Sequence, residues 1–119
     1  MLAAVLAALL ARLRGMDAGR FIDTTATLHC DGFLKVDTFA RNTWAFAGFK
    51  PRIQIMAFDA EDNTWLSPVW AFPISLCATT DPTCDKERAY SFSDVKVPED
   101  FAKRVVRLEI FHAHDRNPV

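Results

Sequence analysis

The stretch RIQIMAF at residues 52–58, which follows Pro51, indicates the fold of this chain most clearly. Successive side chains of an extended strand point to opposite faces, so Ile53, Ile55 and Ala57 share one face. The opposite face carries two polar and two apolar side chains, so solvent reaches it only in part. The pattern predicts a β-strand with at least one buried face.

Other short strands are predicted on both sides of this stretch, at spacings near ten residues. The predicted strands cover residues 21–29, 34–39, 52–58, 64–74, 89–97 and 104–112. Pro68 and Pro73 interrupt the aromatic strand over residues 64–74 and confine it to a sheet edge or to bulges. Regularly spaced strands without helical patterns between them predict an all-β fold, an antiparallel immunoglobulin-like β-sandwich.

The N-terminal residues 1–18 differ from the rest because residues 2–11 form an unbroken apolar run. A bilayer span takes about 20 residues, so this run is too short to cross a membrane. It suits a signal peptide, an amphipathic helix that ends at Gly15, or an organelle transit segment. We expect an apolar leader over residues 1–18 and a single sandwich domain over residues 19–119.

Composition restricts the function classes. The chain has 119 residues, half of them hydrophobic, with ten Phe and three Trp, which excludes intrinsic disorder for most of its length. Fourteen basic and fifteen acidic residues give a formal net charge of -1. Phosphate binding requires a clustered positive surface, so nucleic acid is not an expected partner.

Two cysteines, Cys77 and Cys84, lie on either side of a Thr-Thr-Asp-Pro-Thr turn. The arrangement predicts a disulfide-stapled β-hairpin, worth about 2.5 kcal/mol in the loop-entropy description; two reduced cysteines are the alternative. Zinc ribbons and thioredoxin-like sites use two intervening residues, so this spacing excludes them. The odd count leaves Cys30 as a buried thiol or as half of an intermolecular bridge.

Metal-binding and catalytic patterns are weak. His112, His114 and Asp115 form the only cluster with metal-ligand character, and a third histidine would have to come from His29 or another chain. No serine is flanked by glycines, and the four glycines form no phosphate-binding loop. We therefore expect no enzymatic activity, no metal and no cofactor.

Residues 72–117 resemble the ML family of lipid-recognition domains, which includes the Niemann-Pick cholesterol carrier and mite allergens. Phe-Pro-Ile precedes the first cysteine of the pair, and a polar loop leads to the second. Three further features follow in the same order as in the family. They are Tyr-Ser-Phe at residues 90–92, Val-Lys-Val-Pro at residues 95–98 and the apolar alternation of residues 105–111. Cys30 resembles the family's first cysteine.

The resemblance implies a two-sheet sandwich that binds a lipid or sterol between its sheets, without catalysis, in a secreted or endolysosomal location. Candidate ligand contacts are the inward-facing apolar residues of the predicted strands, and simple core packing is the alternative for each. These candidates are Ile53, Ile55, Trp70, Phe72, Ile74, Phe92, Val106, Leu108 and Ile110.

Two alternatives remain at this point. Residues 97–101, Val-Pro-Glu-Asp-Phe, resemble a motif of the transthyretin-like family, which implies another secreted β-sandwich. A protein-interaction module with exposed Trp and Phe, and no lipid ligand, is the other alternative. ML domains also have a final strand that this sequence lacks, so an unpaired sheet edge and a homodimer through it are expected.

Overall fold

The computed structural model describes the backbone of residues 8–116 and the side chains of residues 8–113. Its elements are β1 Ala8–Asp17, β2 Arg20–His29, β3 Leu34–Asn42, β4 Phe49–Asp59, β5 Thr64–Leu66, β6 Trp70–Ala71, β7 Glu87–Phe92, α1 Glu99–Ala102 and β8 Val105–Arg116. The strands form two antiparallel sheets. The predicted all-β, two-sheet architecture is therefore confirmed.

The first sheet has the strand order β1-β2-β3-β7. In the second sheet β8 pairs along one side of β4, and the short strands β5 and β6 follow each other along the other side. One sheet of an immunoglobulin constant domain has the order A-B-E-D, which places the fifth and fourth strands of the chain after the first two. In the first sheet here, the third and seventh strands take those two positions. The two-sheet sandwich holds, and its strand order is not the immunoglobulin order.

The core lies between the sheets because β2, β3 and β4 each bury every second residue. Strict alternation is what a strand with one core-facing side requires. Ile53, Ile55 and Ala57 face the core, as the sequence predicts. The buried apolar residues are Ile22, Ala26, Leu28, Leu34, Val36, Ala40, Phe49, Ile53, Ile55, Ala57, Trp70, Phe72, Leu76, Val97, Ala102 and Leu108.

The expected N-terminal helix is wrong for the described part of the leader, since residues 8–17 form strand β1; residues 1–7 lie outside the described residues. Every residue of β1 has a partner in β2. Helix propensity in a short Ala- and Leu-rich segment is weak, and the ladder along β2 outweighs it. Ala18 and Gly19, with φ of 50° and 81°, form the two-residue turn of this hairpin.

The Cys77–Cys84 disulfide is present, with 5.8 Å between the Cα atoms. It does not staple a hairpin, because the strand before it, β6, belongs to the second sheet and the strand after it, β7, to the first. The bond therefore closes a loop within the crossover between the sheets. Cys30 is an exposed free thiol, which corrects the buried alternative.

The interruption predicted at the prolines is confirmed, because β5 ends at Leu66 and β6 begins at Trp70. Ser67 replaces a ladder partner between them. Its backbone N–H donates to the carbonyl of Ile55, and its hydroxyl accepts the N–H of Ile55, both at 2.9 Å. The edge beside β4 thus stays hydrogen-bonded across a break in strand structure.

Gly32 lies at the close approach between the β2–β3 turn and the segment before α1. Its φ is +95°, and a side-chain carbon there would collide with the carbonyl oxygen of Val97. The backbone N–H of Val97 donates to the Gly32 carbonyl at 2.8 Å. Only glycine accommodates both the left-handed conformation and this contact.

The part of the chain that the structure describes contains no helix with the length and apolar character of a membrane span.

Candidate functional site

The two sheets meet along two sides, and these sides differ. On one side β7 faces β6, and on the other β1 lies beside β8. We use the name β1–β8 seam for the inward-facing residues of these two strands. They are Leu9, Ala11, Leu13 and Gly15 from β1, and Leu108, Ile110 and His112 from β8. Within the described residues no ladder joins β1 to β8.

Aromatic side chains close the β6–β7 side. Trp70 stacks on Phe92 with 5.8 Å between ring centroids, and Phe72 meets Tyr90 edge to face at 4.7 Å. The indole N–H of Trp70 also donates to Asp94 at 2.9 Å. Such pairs contribute beyond their buried area, so this side is a packed junction.

The predicted ligand contacts therefore divide into groups. Ile53, Ile55 and Phe72 are fully buried in the core, Trp70 and Phe92 stack on each other as described, and Ile74 is half-buried. Leu108 and Ile110 face inward from β8 and belong to the β1–β8 seam. The structure does not bring the whole set together around one cavity.

Val106 is a predicted ligand contact that does not face the space between the sheets. A register shift between Phe58 and Asp59 pairs Arg107 with Phe58 and Val105 with Asp59. Val106 is the extra residue of this bulge, and it is 57% exposed. Regular alternation from Leu108 would point Val106 inward, and a bulge breaks such alternation.

Arg20 is the most unusual residue of the β1–β8 side. It lies on the inner face of β2 beside Ile22, and its side chain is only 1% exposed. The Nε–H group donates to the Asp17 carbonyl at 3.2 Å, and the Trp44 ring lies 5.3 Å from the guanidinium carbon. A buried guanidinium loses its hydration, so these contacts have to replace it.

The replacement is incomplete. Neither terminal nitrogen of Arg20, Nη1 or Nη2, has a hydrogen-bond acceptor. The closest carboxylate, Asp17, lies 3.6 Å from Nη2 and is 73% exposed. That ion pair is too long for a hydrogen bond, and solvent screens it. Arg20 thus presents two terminal nitrogens that lack acceptors, in a buried position.

His112 contributes a second polar group from the facing sheet. Its Nε2 lies 2.7 Å from the Thr24 hydroxyl, which lies 3.1 Å from the Thr38 hydroxyl. Burial lowers the pKa of His112, and the weaker attraction of Asp23 opposes that change. The imidazole is therefore neutral near pH 7.

Gly15 leaves space beside these groups. A cavity of about 250 Å³ is lined by Gly15, Met16, Asp17, Arg20, Ile22 and His112. A side-chain carbon on Gly15 would lie 3.9 Å from Nδ1 of His112, an ordinary contact distance. The cavity thus combines an apolar wall, a neutral imidazole and a buried guanidinium with free donors.

A second cavity, of about 220 Å³, lies at the other end of the seam. Its lining includes Leu9, Leu28 and Val105 from three strands, together with Ala102 of α1 and Cys30. Leu9 and Gly15 are six residues apart, roughly 20 Å along a strand. Both ends of the β1–β8 seam are therefore incompletely filled.

A further concave surface carries polar groups that already have partners. On the outer face of the first sheet, Asp23 accepts a bidentate pair from Arg12 at 3.1 and 2.8 Å, and Asp37 accepts a hydrogen bond from Ser91. The ion pair with Arg12 lowers the pKa of Asp23. These polar groups are satisfied and solvated.

Metal ligation has little support in the described part of the chain. The one group with suitable distances there is Cys77, Asp81 and Cys84. Both thiols are consumed by the disulfide, and a metal requires thiolates. The carboxylate of Asp81 accepts hydrogen bonds from the hydroxyl and the backbone N–H of Thr83, and these bonds lower the pKa of Asp81.

The sequence pattern does not predict four residues of this region as ligand contacts, namely Gly15, Arg20, Thr24 and His112. A signal existed for Arg20, since residues 20, 22, 24, 26 and 28 share one face of the strand. An arginine on the face that carries Ile22 and Leu28 is a polar residue at a core position.

Comparison of the chain with protein-family models, curated proteins and solved structures gave no match.

Proposed function

We propose that this domain binds a lipid between its two sheets, without catalysis, and that the ligand enters through the β1–β8 seam. The observation that carries the proposal is the cavity beside Gly15. Residues of both sheets line it, with Ile22 and Met16 as apolar groups and Arg20, Asp17 and His112 as polar groups. Ligand sites in proteins have this composition.

The seam is the place where the sandwich can open at the lowest free-energy cost. Separating β1 from β8 breaks side-chain packing but no ladder hydrogen bonds between the described strands. Opening the β6–β7 side would instead separate the aromatic pairs and strain the crossover that the Cys77–Cys84 disulfide closes. Ligand entry is therefore assigned to β1 and β8.

Burial of an acyl chain provides the driving force. At about 0.8 kcal/mol per methylene, eight methylenes gain roughly 6 kcal/mol before the cost of association. The exposed fraction of Leu13, 38% despite its inward-facing position, shows apolar surface that a ligand could cover. We expect saturable binding of moderate affinity, in line with a carrier that must release its ligand.

The resemblance of residues 72–117 to ML domains supports the same class of ligand and the same absence of catalysis. The disulfide is compatible with an extracellular or lumenal compartment, since such bonds persist where the environment is oxidising. Secretion or residence in the endolysosomal lumen is part of the proposal.

The experiment compares two leucines of β1. Leu13 faces inward at the seam, whereas Leu10 is 67% exposed on the outer face. Titration with a dansyl-labelled undecanoic acid should show saturable fluorescence for the wild type and for Leu10→Asp. Leu13→Asp, which places a charge where the acyl chain would lie, should lose the signal while keeping its circular dichroism spectrum.

Two results would overturn the proposal. One is the absence of saturable binding to the wild type together with no lipid in native mass spectra. The other is equal loss of binding in Leu10→Asp and Leu13→Asp, because only one of these positions lines the seam.

A further inference from the structure

We propose that Arg20 receives the acidic head group of the ligand, so that the preferred ligand is a fatty carboxylic acid rather than a neutral lipid. This inference rests on the proposed function. It defines the chemical class of the ligand from the polar end of the cavity. The acyl chain would extend from there along the β1–β8 seam.

The guanidinium of Arg20 is not satisfied by the protein's own groups. A buried charge whose two terminal nitrogens lack acceptors is unfavourable for stability. A guanidinium presents its donors as a planar fork, which matches the two oxygens of a carboxylate. A carboxylate in the cavity would supply the missing acceptors for Nη1 and Nη2 together.

Asp17 competes with a ligand carboxylate for Arg20. This side chain carries the negative charge closest to the guanidinium, but at 3.6 Å from Nη2 and largely exposed it makes a long, screened ion pair. A ligand carboxylate within hydrogen-bond distance of the buried nitrogens would interact at lower local dielectric. Arg20 can therefore prefer the ligand although Asp17 repels an anion to some extent.

His112 lines the same cavity as Arg20. Its Nε2 is engaged by Thr24, and Nδ1 is the ring atom that approaches Gly15 at the cavity wall. When the Thr24 hydroxyl donates to Nε2, the neutral imidazole carries its proton on Nδ1. That N–H group would be a second donor to the head group, on the side opposite Arg20.

A structural role for Arg20, held against Trp44 by the cation–π contact, is the competing explanation. It requires no ligand and predicts no preference between an acid and an alcohol. The two explanations therefore differ in a measurable ratio of affinities.

The test uses the full chain with decanoic acid and 1-decanol, which both have an unbranched ten-carbon chain and differ in the head group. Isothermal titration should give the acid an affinity at least about 10-fold higher, as expected for one charge-assisted hydrogen bond. Arg20→Met should reduce the acid to the affinity of the alcohol and leave the alcohol unchanged. Arg20→Lys, which keeps the charge but not the fork, should retain part of the preference.

The outcomes separate the two proposals. If neither compound binds the wild type, the proposed function fails. If both bind equally, or if Arg20→Met keeps the preference for the acid, lipid binding stands and the role of Arg20 is refuted. Arg20→Met should fold, because replacing a poorly paired buried charge with an apolar side chain is often neutral or stabilising.

A spectroscopic readout keeps the test decisive if Arg20→Met fails to fold. Decanoic acid labelled with ¹³C at its carboxyl carbon should show a bound resonance at the chemical shift of an ionised carboxylate. The Arg20 Nε–H resonance of the wild type should shift on adding the acid and stay unchanged with the alcohol. An Arg20 resonance that neither compound shifts would refute the inference.

Discussion

Replacement of Gly15 should stabilise the protein and weaken ligand binding at the same time. Gly15 lies within β1, has no positive φ, and has ordinary space for a methyl group beside His112. A Gly→Ala change at a compatible position stabilises by about 0.4–1 kcal/mol through the unfolded chain. For a domain of this size the melting temperature should rise by roughly 2–6 °C.

The loss of binding follows from the volume of the new side chain. The cavity beside Gly15 holds about 250 Å³, and each carbon added there excludes about one ligand methylene. At ~0.8 kcal/mol per methylene, Gly15→Ala should weaken binding by roughly 4-fold and Gly15→Val by roughly 60-fold. Opposite signs for stability and affinity distinguish blocked space from a damaged fold.

The assay combines calorimetric unfolding with titration of the dansyl-labelled fatty acid. Leu10→Val, on the outer face of the same strand, is the matched control, and it should leave both quantities nearly unchanged. An unaltered affinity in Gly15→Val would refute the assignment of the ligand to this cavity. A destabilised Gly15→Ala would show that the space beside His112 is not available.

Three further predictions concern the frame of the fold. Replacing both Cys77 and Cys84 with serine should lower the free energy of unfolding in urea by about 2.5 kcal/mol, and an unchanged midpoint would contradict a role in stability. Gly32→Ala should lower the free energy of unfolding by more than about 3 kcal/mol or prevent folding, because a methyl group would collide with the carbonyl oxygen of Val97. Circular dichroism and the yield of soluble protein measure this effect, and a variant as stable as the wild type would disprove the close approach. Because burial lowers the pKa of His112, the unfolded state binds more protons below about pH 6.5, so the free energy of unfolding should fall as pH decreases from there to the folded-state pKa. In denaturation curves, His112→Gln should lack this part of the pH dependence. If the free energy of unfolding varies with pH equally in the variant and the wild type, this role of His112 is refuted.

Much of the sandwich could be predicted from local sequence pattern. The alternation around Ile53 and Ile55 predicts β4 and its buried face, and the prolines predict the broken edge beside it. These features are visible because the period of two is set within each strand. Which sheet a strand joins is a long-range property, and for that reason the local pattern around Cys77 and Cys84 predicts a hairpin where the structure has a crossover.

The N-terminal strand shows where local propensity misleads. Residues 8–14 are rich in Ala and Leu, which favour a helix in isolation. Their partner strand, β2, has a buried inner face and an edge that can accept a neighbour. The ladder to β2 provides hydrogen bonds and burial that a short isolated helix lacks.

The candidate site was predicted only in part for a related reason. Leu108 and Ile110 were identified because they belong to a regular apolar pattern, and Val106 was misplaced because the bulge interrupts that pattern. The groups that make the cavity chemically distinct, Arg20 and His112, come from different sheets. Sequence order separates them, and only the packing of β1 and β2 against β8 brings them to one cavity.

The most direct test of the central claim is a measurement of which methyl groups contact the bound acyl chain. Intermolecular nuclear Overhauser effects from protonated decanoic acid to the otherwise deuterated, methyl-labelled protein provide it. Binding in the β1–β8 seam predicts contacts to Leu13, Ile22 and Ile110. Contacts confined to Leu10 and Val106 on the outer surface, or no contacts at saturating ligand, would contradict it.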